Sequence, residues 1–305
     1  MSLSPDRPTV ALPGAAGAVV VRRSRARLFD ALLNLPGGLI TFTLILFALG
    51  LLLFMSLRVN DGQILGTAFT LDNLKQALID PLTRLVLLRS ILLSAIVTFA
   101  TVALAYPVAY FLAFHAGRWR HLLLFLVTLP FWTSYLLRVF AWKIVLAYNG
   151  VLNSGLLHLG LIDTPLNGML NTPTAVVITL AHAYAAFAVL PLFISLNGLA
   201  RNLLEAADDL GATPRQRFMR VVLPLSMPGV LSAALVVFVP TVGDYVTPAL
   251  VGGPDSSMIG TLIQAQFGKA NDWPAGAALA VISMLTIAVV VLLAQWIFTR
   301  WSTRT

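Results

Sequence analysis

Residues 205–224 read EAADDLGATPRQRFMRVVLP, a polar stretch that lies between two long apolar segments. At its start, apolar residues recur at the spacing of an amphipathic helix, namely Leu203, Ala206, Ala207 and Leu210. Asn202 and Glu205 fit a capping arrangement for this helix. Gly211 suits the left-handed position after a helix end, and Thr213, Pro214 and Gln216 form a second start signal. The stretch therefore predicts a helix, a tight turn and a second helix.

The composition around this stretch is that of a membrane protein. The chain is 58% hydrophobic and 10% charged, with a mean hydropathy of +0.88, whereas a soluble domain has about 25% charged residues. Several segments exceed the roughly 20 apolar residues that span a bilayer. We predict an all-α integral membrane protein with six transmembrane helices, at about 36–57, 90–114, 121–143, 174–198, 222–243 and 276–299.

The distribution of charge predicts the orientation. With the N-terminus in the cytoplasm, 13 of the 20 lysines and arginines fall on the inner side and seven on the outer side, while five acids fall inside and seven outside. Both termini and the loop 199–221 are then cytoplasmic. Residues 1–27 are expected to form a flexible cytoplasmic tail, and residues 28–305 the transmembrane domain. A signal peptide is the alternative, but the apolar run begins near Pro36, which favours an uncleaved anchor.

Several kinds of chemistry have no support in the sequence. There is no cysteine, and the four histidines lack metal-ligand spacing, so we expect no metal site and no catalytic residue. The net charge of +8 is explained by topology, and no nucleic-acid partner is expected. There is no phosphate-binding loop, and the first, second and sixth spans contain no ionisable residue. The chain therefore needs an energy source outside itself.

The stretch also resembles a known signature. Glu-Ala-Ala, three residues, Gly211, nine residues, Val221, one residue and Leu223-Pro224 are similar to the cytoplasmic loop of permease subunits of binding-protein-dependent ABC importers, which usually have isoleucine at the Val221 position. The resemblance implies a type I ABC importer permease fold, with an N-terminal arm helix and a five-helix core. It also implies that an ATPase contacts the residues of the signature, which are Glu205, Ala206, Ala207, Leu210, Gly211, Leu223 and Pro224. The alternative is a well-capped connector.

The partners of such a permease follow from the same resemblance. They are cytoplasmic ATPase subunits that bind the ATP, a second permease subunit expected to form a heterodimer, an extracytoplasmic solute-binding protein, and the lipid bilayer. The chain itself is then a non-catalytic transport subunit without a cofactor, in the inner (cytoplasmic) membrane of a bacterium.

Three further segments, residues 129–142, 149–162 and 243–279, resemble the spermidine/putrescine-type branch of these importers. The resemblance implies a polyamine or a similar amine as cargo. Carboxylates and aromatic faces suit an organic cation, and they make Asp244, Tyr245, Trp132 and Tyr135 candidates for the substrate path. Relatives often carry glutamate at the Asp244 position. Arg138 is included although a cation path disfavours it, because it could pair with an acid or contact the receptor.

Each of these candidates has a simpler interpretation. Trp132, Tyr135 and Trp142 could belong to an interfacial belt, and Asp244 could be a hydrated loop acid or a helix-end charge. Residues 150–162 predict either a short interfacial helix or a loop cover, and residues 252–255 either a turn or part of a receptor-docking surface.

Alternative functions also stay open. The same importer class could carry an opine, an amino acid or a sugar phosphate derivative, in which case Arg138 would be the key residue. Rivals from other classes are an ion-coupled secondary carrier and a membrane-embedded enzyme. The scarcity of charged residues within the spans disfavours both.

Overall fold

A computed structural model describes residues 37–60 and 68–302. The predicted tail, residues 1–27, lies outside this part of the chain. The described residues divide into two units, with the division between Phe54 and Met55. Helix α1, Gly37–Ser56, belongs to the first unit up to Phe54, and it is 20 residues long with a mean hydropathy of 2.5.

Helices make up almost all of the regular secondary structure in the described part of the second unit. In chain order its α-helices are α2 (Asp72–Ile79), α3 (Pro81–Phe114), α4 (Arg120–Thr128), α5 (Tyr135–Val145), α6 (Val151–His158), α7 (Pro173–Asn197), α8 (Arg201–Asp209), α9 (Pro214–Arg217), α10 (Leu223–Val242), α11 (Val246–Val251), α12 (Ile259–Ala265) and α13 (Trp273–Ser302). Short 3₁₀ turns occur at Gly117–Trp119, Leu129–Trp132 and Pro254–Ser256, and π turns at Phe218–Val222 and Gln266–Ala270. Within the described residues, the β structure is limited to one isolated bridge between Arg58 and Phe69.

Five helical runs of the described chain are long and apolar enough to cross a membrane, namely α1, α3, α7, the run Pro214–Val242, and α13. The third predicted span is a broken one, because Gly117–Trp132 and Tyr135–Val145 meet at an angle of 87°. If this bent pair counts as one span, the number is six. The described chain is therefore an all-helical protein with five or six apolar helices.

Helix α3 begins at Pro81, nine residues before the predicted start of the second span. The predicted start lies too far along the chain because Arg84 and Arg89 interrupt the apolar run. The helix nevertheless continues, since Asp80 caps it by accepting hydrogen bonds from the Thr83 backbone N (2.9 Å) and Thr83 Oγ1 (2.8 Å). These bonds, the one from the hydroxyl above all, hold the pKa of the Asp80 carboxyl below its usual value.

The core lies where α3, α7 and α10 pack together. Small residues permit this close approach, as is common for helices in membranes; those that are fully or almost fully buried include Ala105, Ala109, Ala188 and Ala233. At the contact of α7 with α10, a β-carbon on Gly229 would overlap the Ser195 side chain. Only glycine at residue 229 allows the two helices to approach at this distance.

Polar and apolar contacts join the outer helices to this core and to one another. Ser90 Oγ on α3 accepts a hydrogen bond of 2.7 Å from the backbone N of Ile259, at the start of α12. Helix α13 packs against α2 and α12 through Ala77, Ala278 and Leu279. Helix α6 confirms the short helix predicted within residues 150–162.

Candidate functional site: a buried carboxylate and an exposed helical loop

The loop between α7 and α10 has the predicted helix–turn–helix form. Helix α8 ends at Asp209, Gly211 takes a left-handed conformation with φ of 76°, and α9 begins at Pro214. The predicted second start is a capping box: Thr213 N donates to Gln216 Oε1 (2.9 Å), and Gln216 N donates to Thr213 Oγ1 (3.3 Å). An ion pair between Arg217 and Asp208 joins the two helices.

The predicted cap of the first helix was wrong. Helix α8 begins at Arg201, and its N-cap residue is Ala200, which makes no side-chain cap hydrogen bond. Asn202 therefore lies inside the first turn. The physical reason is the short connection from α7, because only residues 198–200 separate the two helices and the chain must turn into α8 at once.

Helix α8 presents an uncovered apolar face. Leu203 is 47% exposed and Leu210 is 88% exposed, while Ala206 is also exposed and Ala207 partly buried. On the other side of the helix, Leu204 packs against the core. An exposed apolar face that is surrounded by charged residues is suited to binding another protein. Glu205 lies exposed on the same helix.

The end of the loop connects directly to the core. The π turn Phe218–Val222 leads into α10, where Leu223 and Pro224 are partly buried. The ring of Phe218 lies 5.9 Å from that of Tyr106 on α3, and Tyr106 Oη lies 2.7 Å from Ser226 Oγ on α10. A displacement of the loop would therefore act on both α3 and α10.

The second candidate region surrounds Asp244, which lies between α10 and α11. Asp244 is 8% exposed and is the one carboxylate that is buried among the described residues. Tyr135, the first residue of α5, donates a hydrogen bond from its hydroxyl to Asp244 Oδ2 (2.6 Å), and Val246 N donates to Oδ1 (3.1 Å). Thr247 Oγ1 lies 2.6 Å from the Tyr135 hydroxyl. The structure thus brings together two of the predicted path residues, Tyr135 and Asp244.

Asp244 forms no ion pair within 4 Å in the described part of the chain. In residues 37–60 and 68–302, the ion pairs are Arg89–Asp255 and Arg217–Asp208, so that no lysine or arginine of the described chain neutralises Asp244. A buried carboxylate without a cation partner is costly unless hydrogen bonds or a bound cation compensate it. The arrangement is chemically suited to receive an ammonium group.

A row of aromatic rings leads away from this carboxylate. The ring of Tyr135 lies 6.5 Å from that of Tyr184, Tyr184 lies 6.0 Å from Phe187, and Phe187 lies 4.7 Å from Phe131. The row ends at Trp132, whose ring centroid is 6.4 Å from that of Phe131 and whose side chain is 77% exposed. Successive aromatic faces of this kind can hold an organic cation along their length.

Among the described residues, the remaining predicted path residues form no hydrogen bond with the Asp244 carboxylate. Arg138 donates to three backbone carbonyl oxygens, those of Ala183 (2.8 Å), Pro130 (2.6 Å) and Thr133 (3.1 Å). Two of these carbonyls lie at the break before α5, so Arg138 stabilises the bend. Tyr245 faces another cleft of about 500 Å³, which Phe267 and Trp273 also line.

Four contributors were not predicted from the sequence, namely Thr247, Tyr184, Phe187 and Phe131. The spacing of Tyr184 and Phe187 in α7 places both rings on one helix face, and this signal could have indicated them. Thr247 offered no signal, because its role depends on a tyrosine 112 residues away.

With this geometry established, comparison with known proteins identifies the family. The family described as binding-protein-dependent transport system inner membrane component matches residues 105–303. The chain belongs to this family. As a member, it is a multi-pass inner membrane protein and a transport permease.

Named relatives are similar over most of the chain. The spermidine/putrescine transport system permease protein PotB of Escherichia coli is 43% identical over 237 residues, which cover 78% of this chain and 85% of PotB. PotB of Haemophilus influenzae is 37% identical over 81% of this chain and 84% of its own length. The inner membrane ABC transporter permease protein YdcU of Escherichia coli is 35% identical over 72% of this chain and 73% of its own length.

Solved structures show the same fold. A chain of a bacterial ABC transporter involved in the import of alginate superposes with a TM-score of 0.66 at 16% identity, covering 91% of this chain and 99% of that one. The alginate transporter in complex with its pentasaccharide-bound periplasmic protein gives a TM-score of 0.68 at 18% identity, covering 92% of this chain and 96% of that one. The permease therefore has the fold of ABC transporter membrane chains.

Proposed function

We propose that this permease is the membrane subunit of an ATP-driven importer for polyamines such as spermidine and putrescine, of the type I fold with both termini in the cytoplasm. The relatives named spermidine/putrescine permeases support this cargo, because they are 37% and 43% identical to this chain in alignments that cover about four-fifths of it. The observation that carries the proposal is the buried carboxylate of Asp244, which has two hydrogen-bond donors and no cation partner within the described chain.

The path for such a cargo runs past Asp244. A polyamine carries several ammonium groups separated by short methylene chains, so it gains from a carboxylate and from aromatic faces in succession. Asp244 provides the charge, and the rings of Tyr135, Tyr184 and Phe187 provide cation–π contacts beside it. Tyr245 and Trp132 would contact the cargo nearer the outer surface.

The energy would enter through the loop 198–222. The exposed apolar face of α8 supports a role in binding a separate ATPase subunit, which holds the ATP. Closure of that subunit would move the loop, and the π turn would transmit the movement to α3 and α10. A second permease subunit, which we expect to differ from this one, and an extracytoplasmic binding protein complete the importer. This subunit itself performs no bond chemistry and needs no cofactor.

Arg138 weighs against the alternative of an anionic cargo. Both terminal nitrogens donate to carbonyl oxygens, Nη1 to Ala183 and Nη2 to Pro130 and Thr133, and Nε is buried, so the group offers little to a carboxylate or phosphate. The key residue of that alternative has a structural role instead.

The test compares how different solutes stimulate ATP hydrolysis by the purified importer with its receptor. We expect spermidine and putrescine to stimulate ATP hydrolysis, and we expect an opine, a neutral amino acid and a sugar phosphate to leave it at the level of the empty receptor. Stimulation by the sugar phosphate without stimulation by spermidine would contradict the polyamine assignment.

A further inference from the structure

The hydroxyl of Tyr135 forms a hydrogen bond with the same carboxylate that a cargo ammonium would bind. It donates to Asp244 Oδ2 at 2.6 Å, which is the length of a strong hydrogen bond to a charged acceptor. Thr247 Oγ1 lies at 2.6 Å from the same hydroxyl. Because the Tyr135 proton points to Asp244, the Thr247 hydroxyl donates to the tyrosine oxygen. The tyrosine is thus held in place from two sides.

Tyr135 also stands at a mechanical junction. It is the first residue of α5, directly after the break where the chain turns by 87°. In this break Thr133 has an extended backbone conformation, and that of Ser134 is not helical either. Asp244 lies at the corner between α10 and α11. The hydrogen bonds of Tyr135 with Asp244 and Thr247 therefore fasten the broken span to the corner between α10, the helix that continues from the loop 198–222, and α11.

We propose that Tyr135 is a latch, which holds the Asp244 carboxylate while no amine is bound and is displaced by the arriving ammonium group. This inference rests on the proposed polyamine function. Without cargo, the tyrosine compensates part of the buried charge and ties α5 to the α10–α11 corner. When an ammonium binds Asp244, the tyrosine loses its acceptor and the tie between the two elements is released. Tyr135 is then a positioning residue that couples the presence of cargo to movement of the broken span.

The latch and a purely structural role of Tyr135 predict different effects of Tyr135→Phe on spermidine binding. Removing the hydroxyl removes a competitor for the carboxylate, so the amine should bind more tightly rather than more weakly. We expect Tyr135→Phe to lower the Kd for spermidine by roughly tenfold, the size expected for one hydrogen bond to a charged group. Release should slow in turn, so that KM and kcat of transport both fall.

The experiment measures binding of radiolabelled spermidine to the assembled complex of both permease subunits and the ATPase subunits, without receptor, in lipid nanodiscs. The matched control is Tyr148→Phe, which removes the hydroxyl of an exposed tyrosine in the connection between α5 and α6. Its Kd should equal that of the wild type. Thr247→Val removes the hydroxyl that donates to the Tyr135 oxygen, and it should also lower the Kd for spermidine, but by a smaller factor. This variant serves as the test if Tyr135→Phe does not assemble.

The outcomes separate the latch from the function on which it rests. If Asp244→Asn abolishes binding while Tyr135→Phe leaves the Kd unchanged or raises it, the latch is refuted and the cargo role of Asp244 stands. If Asp244→Asn binds spermidine as the wild type does, the role of Asp244 in the proposed function fails as well. The latch is supported if Tyr135→Phe tightens binding and the double variant Tyr135→Phe/Asp244→Asn binds no better than Asp244→Asn alone.

Discussion

The loop 198–222 and the network around Asp244 are assembled from contacts of very different range along the chain. The capping box of the loop joins residues three positions apart, and its ion pair joins residues nine apart. The network around Asp244 joins residues 109 and 112 positions apart. The loop also exposes its apolar face, whereas the carboxylate is buried.

The difference explains how each region can work. A locally determined loop keeps its shape while it moves as a unit, which suits an element that a partner displaces. A network assembled from α5, α10 and α11 changes when any of those helices moves, which suits a site that senses the state of the core. Substitutions in the loop should therefore affect coupling, and substitutions in the network should affect cargo.

The largest effect is expected from Gly211→Asp. Gly211 has φ of 76°, and a side chain there costs about 1–2 kcal/mol and places a charge on the proposed partner surface. Receptor-stimulated ATP hydrolysis should fall to the unstimulated level. The matched control is Gly117→Asp, since Gly117 is also left-handed (φ of 50°) with open space around it but lies in another connection. Wild-type stimulation in Gly211→Asp, or an equal loss in Gly117→Asp, would contradict the assignment of the loop.

Asp244→Asn should have the next largest effect. The substitution keeps the shape of the side chain and removes the charge, so the uptake of spermidine at low concentration should fall by roughly ten- to hundredfold. Uptake into proteoliposomes measures the effect. Asp163→Asn is the control, because Asp163 is an exposed acid. Equal uptake by the two variants would show that burial of the carboxylate has no part in transport.

Leu210→Ala should weaken assembly without affecting the fold. The Leu210 side chain is 88% exposed, so its loss leaves the core unchanged, whereas a partner that buries it would lose roughly tenfold in affinity. The dissociation constant of the ATPase subunit measures this change. Leu159→Ala provides the comparison, since Leu159 is 73% exposed at the end of α6. If both variants bind the ATPase like the wild type, the exposed face of α8 is not the contact.

Thr213→Ala should have the smallest effect. It removes the capping box at the start of α9 and costs about 1 kcal/mol of local helix stability. Hydrogen exchange of residues 215–217 should become about fivefold faster, while spermidine binding stays unchanged. A change in the Kd for spermidine would mean that the loop and the carboxylate are linked more tightly than their separate construction indicates.

The same contrast determines how much of the protein could be predicted from its sequence. The apolar helices, α6, the turn at Gly211 and the capping box at Thr213 all depend on neighbours in the chain, and the sequence predicted them. The cap at Asn202 failed because the length of the preceding connection, rather than the capping pattern, set the start of α8.

Long-range features were not accessible in this way. The sequence indicated Asp244 and Tyr135 by their chemistry, but nothing local specified that the hydroxyl of one reaches the carboxylate of the other. The role of Arg138 was also hidden, because two of its partners are backbone carbonyls at the 87° break, and the span predicted at about 121–143 did not specify where the helix breaks.

The most direct test of the account is uptake of spermidine by proteoliposomes that contain this permease with its second permease and ATPase subunits. The account predicts uptake that requires both ATP at the cytoplasmic face and the loaded binding protein at the outer face, and that does not respond to a proton or sodium gradient. Gradient-driven uptake by this chain alone, without ATPase subunits, would contradict it.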